Sequence, residues 1–225
     1  MPISDLFEWS KLRPVDSPAS NYDGFEPGTT LLKAGYTYEE GRRPFPVDTI
    51  LDRDVAVKMR DGITIYVDVY RPVDSDTHPV PAILSWGCAG KRGMNNMLDH
   101  FGLPATEQDA IGYEQWVGKG KPTNRKMPEP HLAPYRMGIP KNALSGLQAW
   151  ECQDPAYWVA KGYAIVNADA RGAYMSEGNI RYFGSLDAED TYDTIEFLGV
   201  QPWCNGKVGM AGCSWYAMTQ WCVAA

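Results

Sequence analysis

Two short stretches alternate apolar and polar residues across a tight turn. Val55-Ala56-Val57-Lys58 and Ile63-Thr64-Ile65-Tyr66-Val67-Asp68-Val69-Tyr70 have the period of two that sends side chains to opposite faces, and Arg60-Asp61-Gly62 joins them, so the pattern predicts a β-hairpin. Two further runs are mostly apolar: Pro81-Ala82-Ile83-Leu84-Ser85-Trp86, ending at Gly87, and Tyr163-Ala164-Ile165-Val166-Asn167-Ala168-Asp169, ending near Gly172. Parallel strands covered on both faces read this way. Lys207-Val208-Gly209-Met210-Ala211 predicts a third such strand.

Helical spacing falls between these runs. Asp154 is an N-cap followed by Pro155, opening a helix from Ala156 to Lys161 that Gly162 closes. A longer helix is predicted from about Leu186 to Leu198, where Ala188, Tyr192, Ile195 and Leu198 recur at helical spacing. Asp187, Glu189 and Asp190 read as first-turn residues that favour the positive end of its dipole, not as an acid pair. Strand and helix alternate, which predicts an α/β fold: a mostly parallel sheet with flanking helices and functional residues at the carboxyl ends of its strands.

Two regions break the alternation. Residues 1–50 are proline-rich with little periodicity and read as an extended arm laid over a larger body. The stretch at about 91–151 has no strong period and reads as a lid-like insertion. His100 and His131 fall within it.

Composition narrows the function classes. With 44% hydrophobic and 22% charged residues the chain can bury a core, so disorder throughout is excluded. A net charge of -7 without a Lys/Arg run argues against a nucleic-acid partner. No basic leader and no run of about 20 apolar residues is present, so neither a membrane partner nor secretion is expected, and the location expected is cytoplasmic. Five scattered cysteines suggest reduced thiols, not a disulfide framework or a zinc site. No phosphate-binding loop or metal-ligand spacing is present, and no cofactor is expected.

Chemistry concentrates at Met210-Ala211-Gly212-Cys213-Ser214-Trp215-Tyr216-Ala217, where a strand should end and a helix begin. Trp215, Met218, Cys222 and Ala225 recur at gaps of three and four, as a helix packed on the sheet would have them. A serine on such a strained turn is an exposed nucleophile, and small residues near it let strand and helix cross closely. Gly212 and Ala217 meet that need. The Trp215 N–H would then stabilise a tetrahedral oxyanion at the helix start. A serine that merely caps a core helix is the alternative.

A set of longer segments is more specific. Val57 to Gly62, Val67 to Pro72, Gly162 to Gly172, Ser176-Glu177-Gly178, Gln201 to Gly209 and Thr219-Gln220-Trp221 together resemble the cocaine esterase and X-Pro dipeptidyl-peptidase (CocE/NonD) family of serine hydrolases. The resemblance covers about residues 50–90 and 150–225. It implies an α/β-hydrolase fold, Ser214 as nucleophile, and a small-molecule carboxylic ester or amide as substrate.

The chain departs from the family pattern in two places. Where family members have P-Y-G-K, with the Tyr hydroxyl donating to the oxyanion, this chain reads Cys88-Ala89-Gly90-Lys91. Either the Ala89 region supplies a backbone N–H instead, as Gly-rich loops of other α/β-hydrolases do, or the chemistry is altered. Cys88 is a candidate reactive thiol, though a packed, inert one is the commoner case. Second, the triad order of this fold is Ser, acid, His. Only eleven residues follow Ser214, none of them acidic or His, and His78, His100 and His131 all precede it. The fold is therefore expected to be incomplete in 51–225, with the remainder of the domain, on the same or a second chain, supplying Asp and His. Asp169 and Arg171 read as an internal ion pair or loop anchor. Aromatic residues Trp86, Tyr113, Trp116, Tyr135, Trp150 and Trp215 suggest a bulky apolar substrate group.

The expected activity is a serine hydrolase working through an acyl-enzyme. An acyltransferase on the same site and a non-hydrolytic binding protein on this fold stay open. A homo-oligomer also stays open.

Overall fold

The computed structural model describes residues 24–91, 141–181 and 183–225, together with Pro14, Val15 and Tyr22. The lid-like insertion lies outside the described residues between 92 and 140, and so does most of the stretch before residue 24.

Six strands form one sheet: β1 (Gly28–Leu32), β2 (Thr49–Lys58), β3 (Thr64–Pro72), β4 (Val80–Gly87), β5 (Ala164–Asp169) and β6 (Cys204–Met210), in the order β1-β2-β3-β5-β4-β6. The hairpin forms as its alternation requires, with Val57 opposite Ile65 and Val55 opposite Val67. Its strands run antiparallel, and β3 is also antiparallel to β5. Only β5-β4-β6 is parallel, so the described sheet is mixed: a tight turn makes β2 and β3 antiparallel, and α2 carries the chain between the parallel strands β5 and β6. Within the proline-rich stretch, Gly28–Leu32 pairs with β2 as an edge strand, and Phe45 is fully buried.

Helix α1 (Pro155–Trp158) starts where Asp154 accepts the Ala156 N–H at 3.0 Å. It tightens into a 3-10 turn, Val159–Lys161, which Gly162 ends at φ 80°. Helices α2 (Ser185–Gly199) and α3 (Trp215–Ala224) follow. The centre of the sheet is covered on both faces, with β5 buried along its whole length, while most of β1 and β6 is exposed. Its successive residues serve opposite layers: Val166 packs with Leu84, Trp86 and Leu198, while Ile165 packs with Phe45, Tyr70 and Val159.

The face of α3 that packs inward is not the expected one. Tyr216 and Thr219 are buried, whereas Met218 is 50% exposed and Trp221 80%. A polar contact sets the rotation: buried Asp187 of α2 accepts from Thr219 Oγ1 at 3.3 Å and from Trp86 Nε1 at 2.8 Å. Helices α2 and α3 and strand β4 are thereby tied through one carboxylate, whose pKa burial raises against those two hydrogen bonds.

Candidate active site

Strands β4 and β6 are parallel neighbours, so the loops that follow them leave the same end of the sheet. The Ala211 N–H donates to the Leu84 carbonyl at 3.3 Å and keeps the chain beside β4 one residue past β6. Gly212 follows at φ 155°, and a Cβ there would lie 2.3 Å from Tyr216 Cβ. No side chain fits where strand and helix cross this closely.

Ser214 then takes φ 53° and ψ -122°, a left-handed conformation that is costly for a residue other than glycine. The Ala217 and Met218 N–H groups donate to its carbonyl at 3.1 and 3.0 Å, which starts α3. Ser214 is exposed and its side chain makes no capping hydrogen bond to the helix. The strain therefore does not serve a cap. Trp215 is the first residue of α3, where amides lie outside the helix's own hydrogen-bond ladder. Its ring packs 4.4 Å from that of Phe183, centroid to centroid.

Tyr216 occupies the position at which the strict serine motif asks for glycine. Space comes from across the crossing: a Cβ on Gly87, the last residue of β4, would lie 2.6 Å from the Tyr216 ring. The side chain is 2% exposed, and burial pushes its hydroxyl above the usual tyrosine range.

The loop after β4 runs Cys88-Ala89-Gly90-Lys91. Gly90 sits at φ 90°, with the Tyr174 ring 2.4 Å from where a Cβ would be, and the Tyr174 hydroxyl lies 3.5 Å from the Ala89 carbonyl. Lys91 turns inward and is 3% exposed. Its ammonium pairs with Asp54, with Asp169 at 3.3 Å and with Asp68 at 3.6 Å. Burial raises the Asp169 carboxyl to about 6 despite the opposing pull of Lys91. For Lys91, burial works downward, but Asp169, Asp68 and Asp54 outweigh it and leave the ammonium above its ordinary value. Asn167 of β5 donates to the carbonyls of both Lys91 and Leu147 at 3.3 Å, so the two ends of the insertion meet on one side chain.

Asp169 and Arg171 do act as anchors, but not for each other. Asp169 serves Lys91, while Arg171 makes a two-pronged pair with Asp190 at 2.6 and 2.7 Å and reaches Asp61 at 2.8 Å. Asp190 is accordingly buried, a different role from the helix-dipole residue its position suggests.

Other sequence candidates separate clearly. Burial raises the Cys88 thiol and pushes Cys152 up to about 12, so neither is a ready thiolate near neutral pH. His78 is exposed in the turn before β4, at the opposite end of that strand from Gly87, with Nδ1 3.6 Å from Asp74. His100 and His131 lie outside the described residues. Trp86 is fully buried core and lines no pocket mouth. Trp150 and Trp215 are half-buried, and Tyr113, Trp116 and Tyr135 lie outside the described residues. Among the described residues no helix is long and apolar enough to cross a membrane.

Comparison with known proteins shows the family and the fold. The family model for X-Pro dipeptidyl-peptidase (S15 family) matches residues 61–225. A cocaine esterase from Rhodococcus sp. (strain MB1 Bresler) is 30% identical over 169 residues, 75% of this chain and 20% of that protein. A CocE/NonD family hydrolase from Staphylococcus aureus shares the fold with a TM-score of 0.57 and 24% identity, over 88% of this chain and 28% of that one. A shorter match, 48% identical over 54 residues, is to an L-tyrosine:2-oxoglutarate aminotransferase from Aspergillus ustus, 24% of this chain and 10% of that protein. The chain spans less than a third of the length of each of these relatives.

Proposed function

The chain belongs to the X-Pro dipeptidyl-peptidase (S15) family, and on that premise we propose that it forms part of a serine hydrolase acting on a carboxylic ester or amide. Ser214 is the nucleophile of this reading. The observation that supports it is the left-handed backbone of an exposed serine, between β6 and α3, that caps nothing.

In the proposed cycle Ser214 Oγ adds to the substrate carbonyl as its proton passes to a histidine. The Trp215 N–H and a backbone N–H at Ala89 hold the oxyanion, and the helix start adds its positive end. The C–O or C–N bond then breaks, and the leaving group takes the proton. Water adds to the acyl-enzyme in the same way and releases the acid. The histidine and its acidic partner are assigned outside the described residues, since His78 stands at the wrong end of β4.

Labelling the full protein with a fluorophosphonate tests the reading. Ser214 should be modified and the Ser214→Ala variant should not. Absence of labelling in the unmodified protein would turn the assignment to a non-hydrolytic role on this fold. Ala89→Tyr then sorts the donors. If the Ala89 backbone already serves, an added hydroxyl leaves ester hydrolysis unchanged or lower; if a donor has been lost, the rate rises by about tenfold or more. Product partition between water and an added alcohol separates hydrolase from acyltransferase.

A further inference from the structure

The loop after β4 is fixed at both ends. Gly87 ends the strand, and its carbonyl accepts the Ala170 N–H at 3.1 Å. Four residues later, Lys91 is held by everything it can offer: its N–H donates to Asp169 Oδ1 at 2.7 Å, its carbonyl accepts from Asn167, and its ammonium sits among three carboxylates.

Those carboxylates come from three strands and are themselves constrained. Asp54 lies at the β2 irregularity with φ 50° and accepts the Glu26 N–H at 2.8 Å. Asp68 on β3 accepts the Asp54 N–H at 2.9 Å. Asp169 ends β5. Gathering three buried carboxylates around one ammonium is costly in desolvation, and an apolar side chain could close the same space at less cost. What the charges add is direction, because each hydrogen bond fixes an angle as well as a distance. The loop between Gly87 and Lys91 is short; Cys88 and Ala89 are half-buried and Gly90 is buried against the Tyr174 ring, so the two end attachments and that ring together set the course of Ala89.

We propose that Lys91 is a positioning residue: locked among Asp54, Asp68 and Asp169, it holds the Ala89 amide where the oxyanion of the Ser214 adduct forms. This rests on the serine-hydrolase reading above. The charged anchor acts on the transition state through the loop and touches no substrate atom.

The test uses the full protein with a simple aryl ester, a boronic acid that forms a tetrahedral adduct on serine, and the fluorophosphonate label. In Lys91→Met, kcat should fall about 10²-fold while KM changes little, as for a displaced oxyanion donor. The boronic acid should weaken by a matching factor. Asp169→Asn is isosteric and keeps an acceptor for the Lys91 N–H while losing the charge. It should fold and show the same pattern more mildly, about tenfold. If Lys91→Met does not fold, Asp169→Asn decides alone. Unchanged kcat and boronate affinity in the folded variant, with Ser214 still labelled, overturns the positioning role and leaves the hydrolase reading standing. A parallel loss of kcat, labelling and thermal stability that cooling restores marks Lys91 as purely structural and also overturns it. An unlabelled Ser214 in the unmodified protein overturns both readings together.

Discussion

Two loops leave the same end of the sheet side by side, and opposite means fix them. The turn after β6 is held by side chains that are missing: Gly212 and Gly87 leave the space that Tyr216 fills. The loop after β4 is held by charge, with one ammonium among three buried carboxylates. A steric lock of the first kind depends little on solvent, but it tolerates no added atom. An electrostatic anchor of the second kind tolerates small changes of shape, but it answers to protons. One end of the sheet thus combines a rigid serine turn with a neighbouring loop whose hold answers to protons.

The largest effect expected on activity comes from the one group that belongs to neither lock. Ser214→Ala should lower turnover of the full protein by about 10⁴-fold or more, because triad members act as a unit. It should leave circular dichroism unchanged. Rates near those of the unmodified protein would sink the assignment. Gly212→Val should act on the fold instead. Its Cβ would overlap Tyr216 and its φ of 155° does not suit a β-branched residue, so soluble expression should be lost. A well-folded Gly212→Val protein would show that strand and helix do not need to cross so closely.

The Gly212 half of the steric lock is legible in the sequence; the fit of Tyr216 against Gly87 and the electrostatic lock are not. Gly212, Ser214 and the change from strand to helix lie within a few consecutive residues, so the turn's requirements are local. Lys91 finds its partners 37 and 78 residues away, at Asp54 and Asp169. Along the chain, Asp68 looks like one more polar position in an alternating strand, and nothing local says that it is buried. The rotation of α3 is not legible along the chain for a related reason. Spacing favoured Trp215 and Met218, whereas the Thr219–Asp187 hydrogen bond and the room beside Gly87 turn Thr219 and Tyr216 inward. Trp86 reads along the chain as a possible site aromatic because its buried partner, Asp187, lies 101 residues further on.

A gentler probe of the steric lock follows from Gly87. In Gly87→Ala the new methyl would meet the Tyr216 ring, and the repacking should cost about 1–3 kcal/mol, seen as a lower denaturation midpoint. Tyr216→Phe should cost much less, since the buried hydroxyl has no hydrogen-bond partner among the described residues. Equal losses from the two substitutions would mean that the hydroxyl, not the ring's fit against Gly87, is what matters.

The smallest effect expected is the one that belongs to the charged anchor alone. Asp169 has a folded-state pKa of about 6 against an ordinary 3.8, and it faces Lys91 from the loop, Asp68 from β3 and Asp54 from β2. A raised carboxyl means that the folded chain keeps a proton the unfolded chain has already released. Its contribution to stability is therefore fully present below about 3.8 and is lost as the pH rises through about 6. Asparagine at this position cannot titrate. The stability of the unmodified protein relative to Asp169→Asn, from urea melts across that window, should decline with rising pH and level off above it. Tyr216→Phe, acting on the steric lock, should show no such slope. A difference between Asp169→Asn and the unmodified protein that stays flat with pH would mean that Lys91 already holds Asp169 ionised when folded. The anchor would then be a fixed ion pair, as insensitive to protons as the glycine crossing beside it.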